Sequence, residues 1–141
     1  MIIDIYTDGS CIFNPGPGGW AYYVPSTDVL KGGGCENTTN NRMELSAVIN
    51  ALQDYRNDDI HIHSDSMYVI NGSTIWKDMW LNRNMFKVKN KNLWLNLYKL
   101  QTGRVVRFSY VKGHVKGGSI ENENNNKVDA HANEYSKQFC K

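Results

Sequence analysis

Cysteine is scarce in this chain: Cys11, Cys35 and Cys140 are spread along 141 residues. An odd number at such separations offers no disulfide framework and fits the cytoplasm or another reducing intracellular compartment. No CxxC pair or Cys/His cluster has the spacing of a zinc module. Long apolar runs are missing too, and nothing approaches the roughly 18 consecutive apolar residues of a membrane-spanning helix. The opening MIIDIYTDGS has an acid at its fourth position and no basic leader segment. No secretory signal is therefore expected, and Met1 leads us to expect a free-standing protein. Repeats and linkers are absent. What remains is 40% hydrophobic and 21% charged, with a mean hydropathy of −0.55, which argues against disorder and fibrous repeats. At roughly 100–200 residues per domain, residues 1–141 are expected to form a single domain. A chain of this length can bury about two-thirds of its unfolded surface, so it needs no metal or disulfide staple.

A large net charge is also lacking, at +2. That small sum hides an asymmetry. Residues 76–99 hold Lys77, Arg83, Lys87, Lys89, Lys91 and Lys99 against Asp78 alone, a local charge of +5 on a body of −3. A basic patch on a mildly acidic body suggests a polyanionic partner, although a charge run by itself also fits a solvated face. Trp76, Trp80 and Phe86 are interleaved with these cations, and rings beside Lys and Arg suit stacking on a nucleic acid.

Hydrophobic periodicity orders the chain. IIDIYTD (2–8), WAYYV (20–24) and 29–37 read as strands, the third weakened by Gly32, Gly33 and Gly34, and together they predict an antiparallel meander. Helical period follows, with Asn41 as N-cap, Glu44 at N3 and an apolar stripe of Val48, Ala51, Leu52 and Tyr55. DIHIHSD (59–65) is a fourth strand. Ser66 and Ser73 cap two short helices, residues 85–92 form a basic loop, and 93–101 is a helix stopped by Gly103. A fifth strand covers 105–112. A polar, glycine-containing loop leads to a last helix over 127–139, with the stripe Val128, Ala132, Tyr135 and Phe139. The prediction is a mixed α/β fold with one sheet.

Four acids sit in odd places. Asp8 and Asp65 each end an apolar strand, Glu44 lies on the apolar stripe of its helix, and Asp129 follows Val128 in the first turn of the last predicted helix. A carboxylate facing a core costs several kcal/mol unless it is paired, protonated or metal-bound. Few cations are near in sequence, and carboxylates with water suit Mg²⁺ or Mn²⁺. Taken singly, each acid also has a structural reading: Glu44 as a capping-box acid, Asp129 as a first-turn acid, the strand-end aspartates as turn starters.

Four blocks lift that ambiguity. TDGSCIFNPGPGGWA, TTNNRMEL, SDSMYV and YVKGHV, the last followed by a helix carrying Asp129, closely resemble type 1 ribonuclease H, in the family's order and over almost the whole chain. The resemblance implies a five-stranded mixed sheet, first three strands antiparallel, with helices on both faces. It implies an endoribonuclease that hydrolyses the RNA strand of an RNA–DNA hybrid with two Mg²⁺ ions per site, Mn²⁺ as substitute, and no sequence specificity. Asp8, Glu44, Asp65 and Asp129 match the catalytic, metal-holding carboxylates, and His114 matches a loop histidine that assists proton transfer or product departure. Asn14, Asn40 and Asn41 match residues touching the backbone and minor groove, where an A-form-like strand displays its 2′-hydroxyls. Thr39 and Asn90 match a pocket for a DNA-strand phosphate. Trp76 and Trp80 match aromatics of the DNA channel, beside the cations Lys87, Lys89 and Lys91. A monomer without membrane contact or obligate protein partner is expected.

This chain departs from the family pattern in three places. Asn37 stands where members with the phosphate pocket often carry Arg, the basic protrusion is shortened between Phe86 and Trp94, and Asn126 replaces a family Glu in a loop from His114 to Asp129 that reads as long. Two other readings stay open on sequence alone: a nuclease of the same superfold acting on DNA, and a catalytically silent hybrid-binding module. His61 and His63 share a strand face with Asp65, and read as strand side chains under a helix, with a transition-metal pair as the alternative.

Overall fold

The structure, a computed structural model, describes residues 2–112 and 118–139. Its strands are β1 (Ile2–Cys11), β2 (Gly16–Val24), β3 (Val29–Thr38), β4 (Asp59–Ser64) and β5 (Val106–Tyr110). Its helices are α1 (Asn40–Asp54), α2 (Met67–Ser73), α3 (Lys77–Asn82), α4 (Lys91–Gln101) and α5 (Ile120–Gln138). The strands form one sheet in the order β3-β2-β1-β4-β5. The first three are antiparallel, while β1–β4 and β4–β5 are parallel. This is the expected mixed sheet. β1 is the strand at which the sheet changes from antiparallel to parallel pairing.

Alternation along the strands assigns each helix to a face. Ile5, Tyr22, Val24, Ile60 and Ile62 point to one side, where Leu45, Val48 and Leu52 of α1, Val69 of α2 and Trp94 and Leu97 of α4 close the main core. Tyr6, Ala21 and Tyr23 point to the other side, against Val128 and Ala132 of α5. Each fully buried Leu, Ile or Val stabilises the fold by about 1.5–3 kcal/mol. Among the described residues, no helix is long and apolar enough to cross a membrane.

Several boundaries differ from the sequence reading. Thr39, not Asn41, caps α1, with its hydroxyl accepting from the Arg42 N–H. α2 runs through Ser73, and α3 begins at Lys77 without a side-chain cap. Lys91 opens α4 and so leaves the basic loop. The largest difference is in α5, which starts at Ile120, seven residues earlier than periodicity suggests. The run ENENNN has weak intrinsic helix propensity. A reciprocal capping box between Ser119 and Asn122, acids Glu121 and Glu123 in the first turn, and burial of Asn125 and Val128 offset that weakness. Asp129 therefore lies in the interior of a 19-residue helix, and much of the apparent long loop before it is helix.

The three consecutive glycines of β3 lie on a strand that α5 crosses closely. A Cβ at Gly34 would run into the Phe139 ring, and one at Gly32 would lie 2.7 Å from the Tyr135 ring. On β2, a Cβ at Gly19 would strike the Ala132 carbonyl oxygen and lie 2.6 Å from Tyr135 Cβ. Backbone, rather than a flexible side-chain tip, blocks that position. Gly19→Ala is therefore expected to destabilise the protein by about 1–3 kcal/mol. Urea or thermal unfolding checks this, and an unchanged midpoint would contradict the close approach of α5 to β2.

Candidate active site

Parallel pairing of β1 and β4 brings their C-terminal ends together. Asp8 lies near the end of β1, and Asp65 lies immediately after β4. Beyond Asp65, Ser66 turns the chain into α2, its side chain accepting from the Val69 N–H while its own N–H donates to Ser64 Oγ at 3.0 Å. Glu44 comes from the first turns of α1 and is buried despite its charge. Gly9 makes this possible, since a Cβ there would collide with the backbone of Met43 and Glu44. The N–H of Gly9 also donates to the Glu44 carboxylate. Asp129 arrives from α5 on the opposite face of the sheet. All four sequence-predicted carboxylates border one open cleft, together with Asn40, Asn41, Ser10 and Asn133.

One oxygen each of Asp8, Glu44 and Asp65 falls within 4.8 Å of the others. Asp8 Oδ2 and Glu44 Oε2 are buried with no hydrogen-bond partner among the described residues. None of the described residues lining the cleft is a Lys, Arg or His. Burial pushes the Asp8 carboxyl far above the usual range, and the neighbouring Glu44, Asp65 and Asp129 carboxylates push it in the same direction. Burial likewise raises Glu44, with Asp65 and Asp129 adding to the effect. Two buried oxygens without a partner, in a cluster that is all-oxygen and cation-free among the described residues, fit a hard divalent cation, which would supply positive charge.

Sequence reasoning missed two residues of this cleft. Asn133 Nδ2 donates to Asp129 Oδ2 at 3.4 Å, and Ser10 Oγ donates to Asn133 Oδ1. They couple Asp129 on α5 to β1. The available signal was the i, i+4 spacing of Asp129 and Asn133, which places both on one helix face.

The predicted substrate residues fall into three groups, the first of which reaches the cleft through Asn40 and Asn41. Asn14 Oδ1 accepts from the Asn40 N–H at 3.0 Å, so the turn after β1 braces the start of α1 beside Asn41. Further out, Arg42 Nη1 donates to Asn90 Oδ1 at 3.2 Å, and Asn90 Nδ2 donates to Tyr68 Oη at 3.2 Å. Asn90 thus meets an exposed guanidinium, while the Thr39 hydroxyl accepts from the Arg42 backbone N–H. Arg42 was also missed, although it stands three residues after Thr39 in the same helical turn. It places a cation in this pocket, where Asn37 places none.

The aromatics and lysines separate. Trp80 stacks edge-on to buried Trp94 at 5.3 Å and lines a groove with Tyr68, Phe86, Lys87 and Lys89. Trp76 packs on Trp80 at 5.5 Å and does not line that groove. Lys87, Lys89 and Lys91 are exposed, and Lys87 Nζ sits 5.3 Å from the centre of the exposed Phe86 ring. His114 lies outside the described residues. His61 and His63 lie on β4 beside Asp4 of β1, away from the carboxylate cleft.

Comparison with known proteins places the chain among relatives of one family. The family model described as RNase H matches residues 2–137. A ribonuclease H of Oleidesulfovibrio alaskensis is 45% identical over 131 residues, covering 86% of this chain and 83% of that protein. A ribonuclease H of Thermoanaerobacter sp. is 40% identical, covering 97% of this chain and 91% of that protein. Among solved structures, LC11-RNase H1 in complex with an RNA/DNA hybrid superposes with a TM-score of 0.71 at 22% identity. It covers 96% of this chain and 97% of that one.

The carboxylate cluster gives a pH-dependent expectation for the metal-free protein. Unfolded, these acids titrate near pH 4, whereas folded Asp8 and Glu44 hold protons to higher pH. Their contribution to stability is therefore fully present below about pH 4 and is lost as pH rises through the folded values. Asp8→Asn removes one charge from the cluster. In a chelating buffer it should raise the melting temperature at pH 8 by at least about 3 °C relative to wild type. The gap should narrow at pH 5, and a gap independent of pH would argue against clustered repulsion.

Proposed function

The chain belongs to the ribonuclease H family, and from that premise we propose a two-metal hydrolysis of the RNA strand of RNA–DNA hybrids, with Asp8, Glu44, Asp65 and Asp129 as the metal ligands. The protein is a ribonuclease H, an endoribonuclease acting on such hybrids. The observation that supports the metal reading best is the pair of buried oxygens on Asp8 and Glu44 that find no hydrogen-bond partner among the described residues, in a cleft whose described lining has no cationic side chain. Mg²⁺ is the proposed ion, with two per site and Mn²⁺ as substitute. When bound, the ions would activate water and stabilise both the attacking and leaving oxygens of an in-line displacement.

The residues of the chain divide the remaining work. Asp8 sits centrally, within reach of Glu44, Asp65 and Asp129, and would hold both ions. Asn133 and Ser10 orient the Asp129 carboxylate. Asn14 fixes Asn40, and Asn40 and Asn41 present short amides to the RNA minor groove. Amides both donate to and accept from 2′-hydroxyls, which distinguishes RNA from DNA without reading bases. Thr39, Arg42 and Asn90 would take a phosphate of the DNA strand, the guanidinium supplying charge and a planar donor fork. Trp80, Lys87, Lys89 and Lys91 would hold that strand further along, with Trp76 buttressing Trp80. His114 is the proposed proton carrier. We read the protein as a monomeric single domain.

Asp8→Asn should abolish cleavage by about 10³-fold or more, roughly 4 kcal/mol of transition-state stabilisation, while hybrid binding survives. A labelled hybrid with Mg²⁺, beside single-stranded RNA, duplex RNA and duplex DNA, checks both parts. Activity within tenfold of wild type, or equal cutting of duplex DNA, would overturn the assignment. Replacing Lys87, Lys89 and Lys91 together with Ala should weaken hybrid binding. It should also flatten the slope of log K against log salt by roughly one to three units, since each phosphate contact releases about one counterion. Parallel slopes for wild type and mutant would remove this segment from the binding face.

A further inference from the structure

We propose that Asp4, His61 and His63 form a second metal site, for zinc or a similar late first-row dication, distinct from the carboxylate cleft. The placement follows from the sheet. His61 and His63 are two apart on β4 and so share a face, and parallel register sets Asp4 of β1 directly beside His61. The face is the one covered by α5, since His63 lines a cavity with Tyr6, Ile120, Glu121 and Asn124. One ligand atom of each residue lies within 4.8 Å of the others. His63 Nε2 is 2.8 Å and His61 Nδ1 is 3.5 Å from the same oxygen, Asp4 Oδ1. Two imidazole nitrogens thus lie within 3.5 Å of one carboxylate oxygen, close enough for small side-chain shifts to bring all three atoms onto one ion.

Two further observations support a ligand set over a packed strand face. The ring planes are held in place: His61 stacks on His63 at 4.2 Å, and His63 stacks on Tyr6 at 4.5 Å. His61 also has an outer partner. Its Nε2 lies 2.6 Å from Ser109 Oγ of β5, so with Nε2–H donating there, Nδ1 turns its lone pair toward Asp4. A metal-binding histidine commonly fixes its tautomer in this way. Mixed imidazole and carboxylate ligands suit zinc and its neighbours rather than Mg²⁺. Three protein ligands with solvent access through the adjoining cavities leave a position for water. The bound ion would clamp β1 to β4 upstream of Asp8 and Asp65. This inference does not rest on the proposed catalytic mechanism.

Zinc titration of the full chain, against a competing chromophoric chelator and in millimolar Mg²⁺ to occupy the carboxylate cleft, tests the site. One zinc per chain is expected. Removing even an outer partner of a metal ligand costs about 10–100-fold in affinity, so His61→Gln, His63→Gln and Asp4→Asn should each weaken binding by at least about tenfold. Glu44→Gln should leave zinc binding unchanged. Asp4 is largely exposed, so Asp4→Asn keeps the fold and decides the question if a histidine variant unfolds in circular dichroism. Cobalt(II) should show nitrogen-ligand absorption bands in wild type that Asp4→Asn alters. No zinc uptake by wild type, or uptake lost in Glu44→Gln and kept in Asp4→Asn, would overturn the site.

Discussion

The parallel pairing of β1 with β4 is the constraint on which the functional geometry depends. β1 pairs antiparallel with β2 on one side and parallel with β4 on the other. Only the parallel side brings two strand C-termini to the same edge, and that edge holds Asp8 and Asp65. Open α/β sheets tend to place ligands just beyond the carboxyl ends of strands, where the strand order changes direction. Here α1 adds Glu44 from one face and α5 adds Asp129 from the other. The same register, a few residues upstream, sets Asp4 beside His61 and His63.

Assembling four acids in a buried corner opposes folding, and the structure offsets this in two ways. Gly9 lets α1 approach so closely that its own N–H reaches the Glu44 carboxylate. Ser10 and Asn133 tie Asp129 to β1. The unmatched oxygens of Asp8 and Glu44 remain as stored repulsion that a divalent cation would relieve. The apolar cores on both faces of the sheet hold the carboxylates together against this repulsion.

The surface beside the cleft draws on separate stretches of the chain. Asn14, Asn40 and Asn41 stand next to the carboxylates, then Thr39, Arg42 and Asn90, then the groove of Trp80, Lys87 and Lys89. Cations stand along the outer part of this path, at Arg42, Lys87 and Lys89, and none is among the described residues that line the cleft. A basic segment over residues 76–99 and an acidic cleft therefore coexist under a net charge of only +2.

Much of this was legible in one dimension. Period-2 alternation located five strands, and helical period located α1 and α4, because burial of one face leaves a direct imprint on residue order. The acids Asp8, Glu44 and Asp65 stood out because carboxylates interrupt apolar patterns where burial would otherwise be expected. The sequence did not reveal α5's true start at Ile120, since a capping box and packing against β2 override the weak propensity of ENENNN. It also did not reveal Arg42 beside Asn90, or Ser10 beside Asn133, pairs separated by 48 and 123 residues. Residue order alone determined which segments are strands and helices and which charges are out of place. Which of those charges meet was decided by strand register and helix approach, because only the folded chain converts distant positions into distances of a few ångströms.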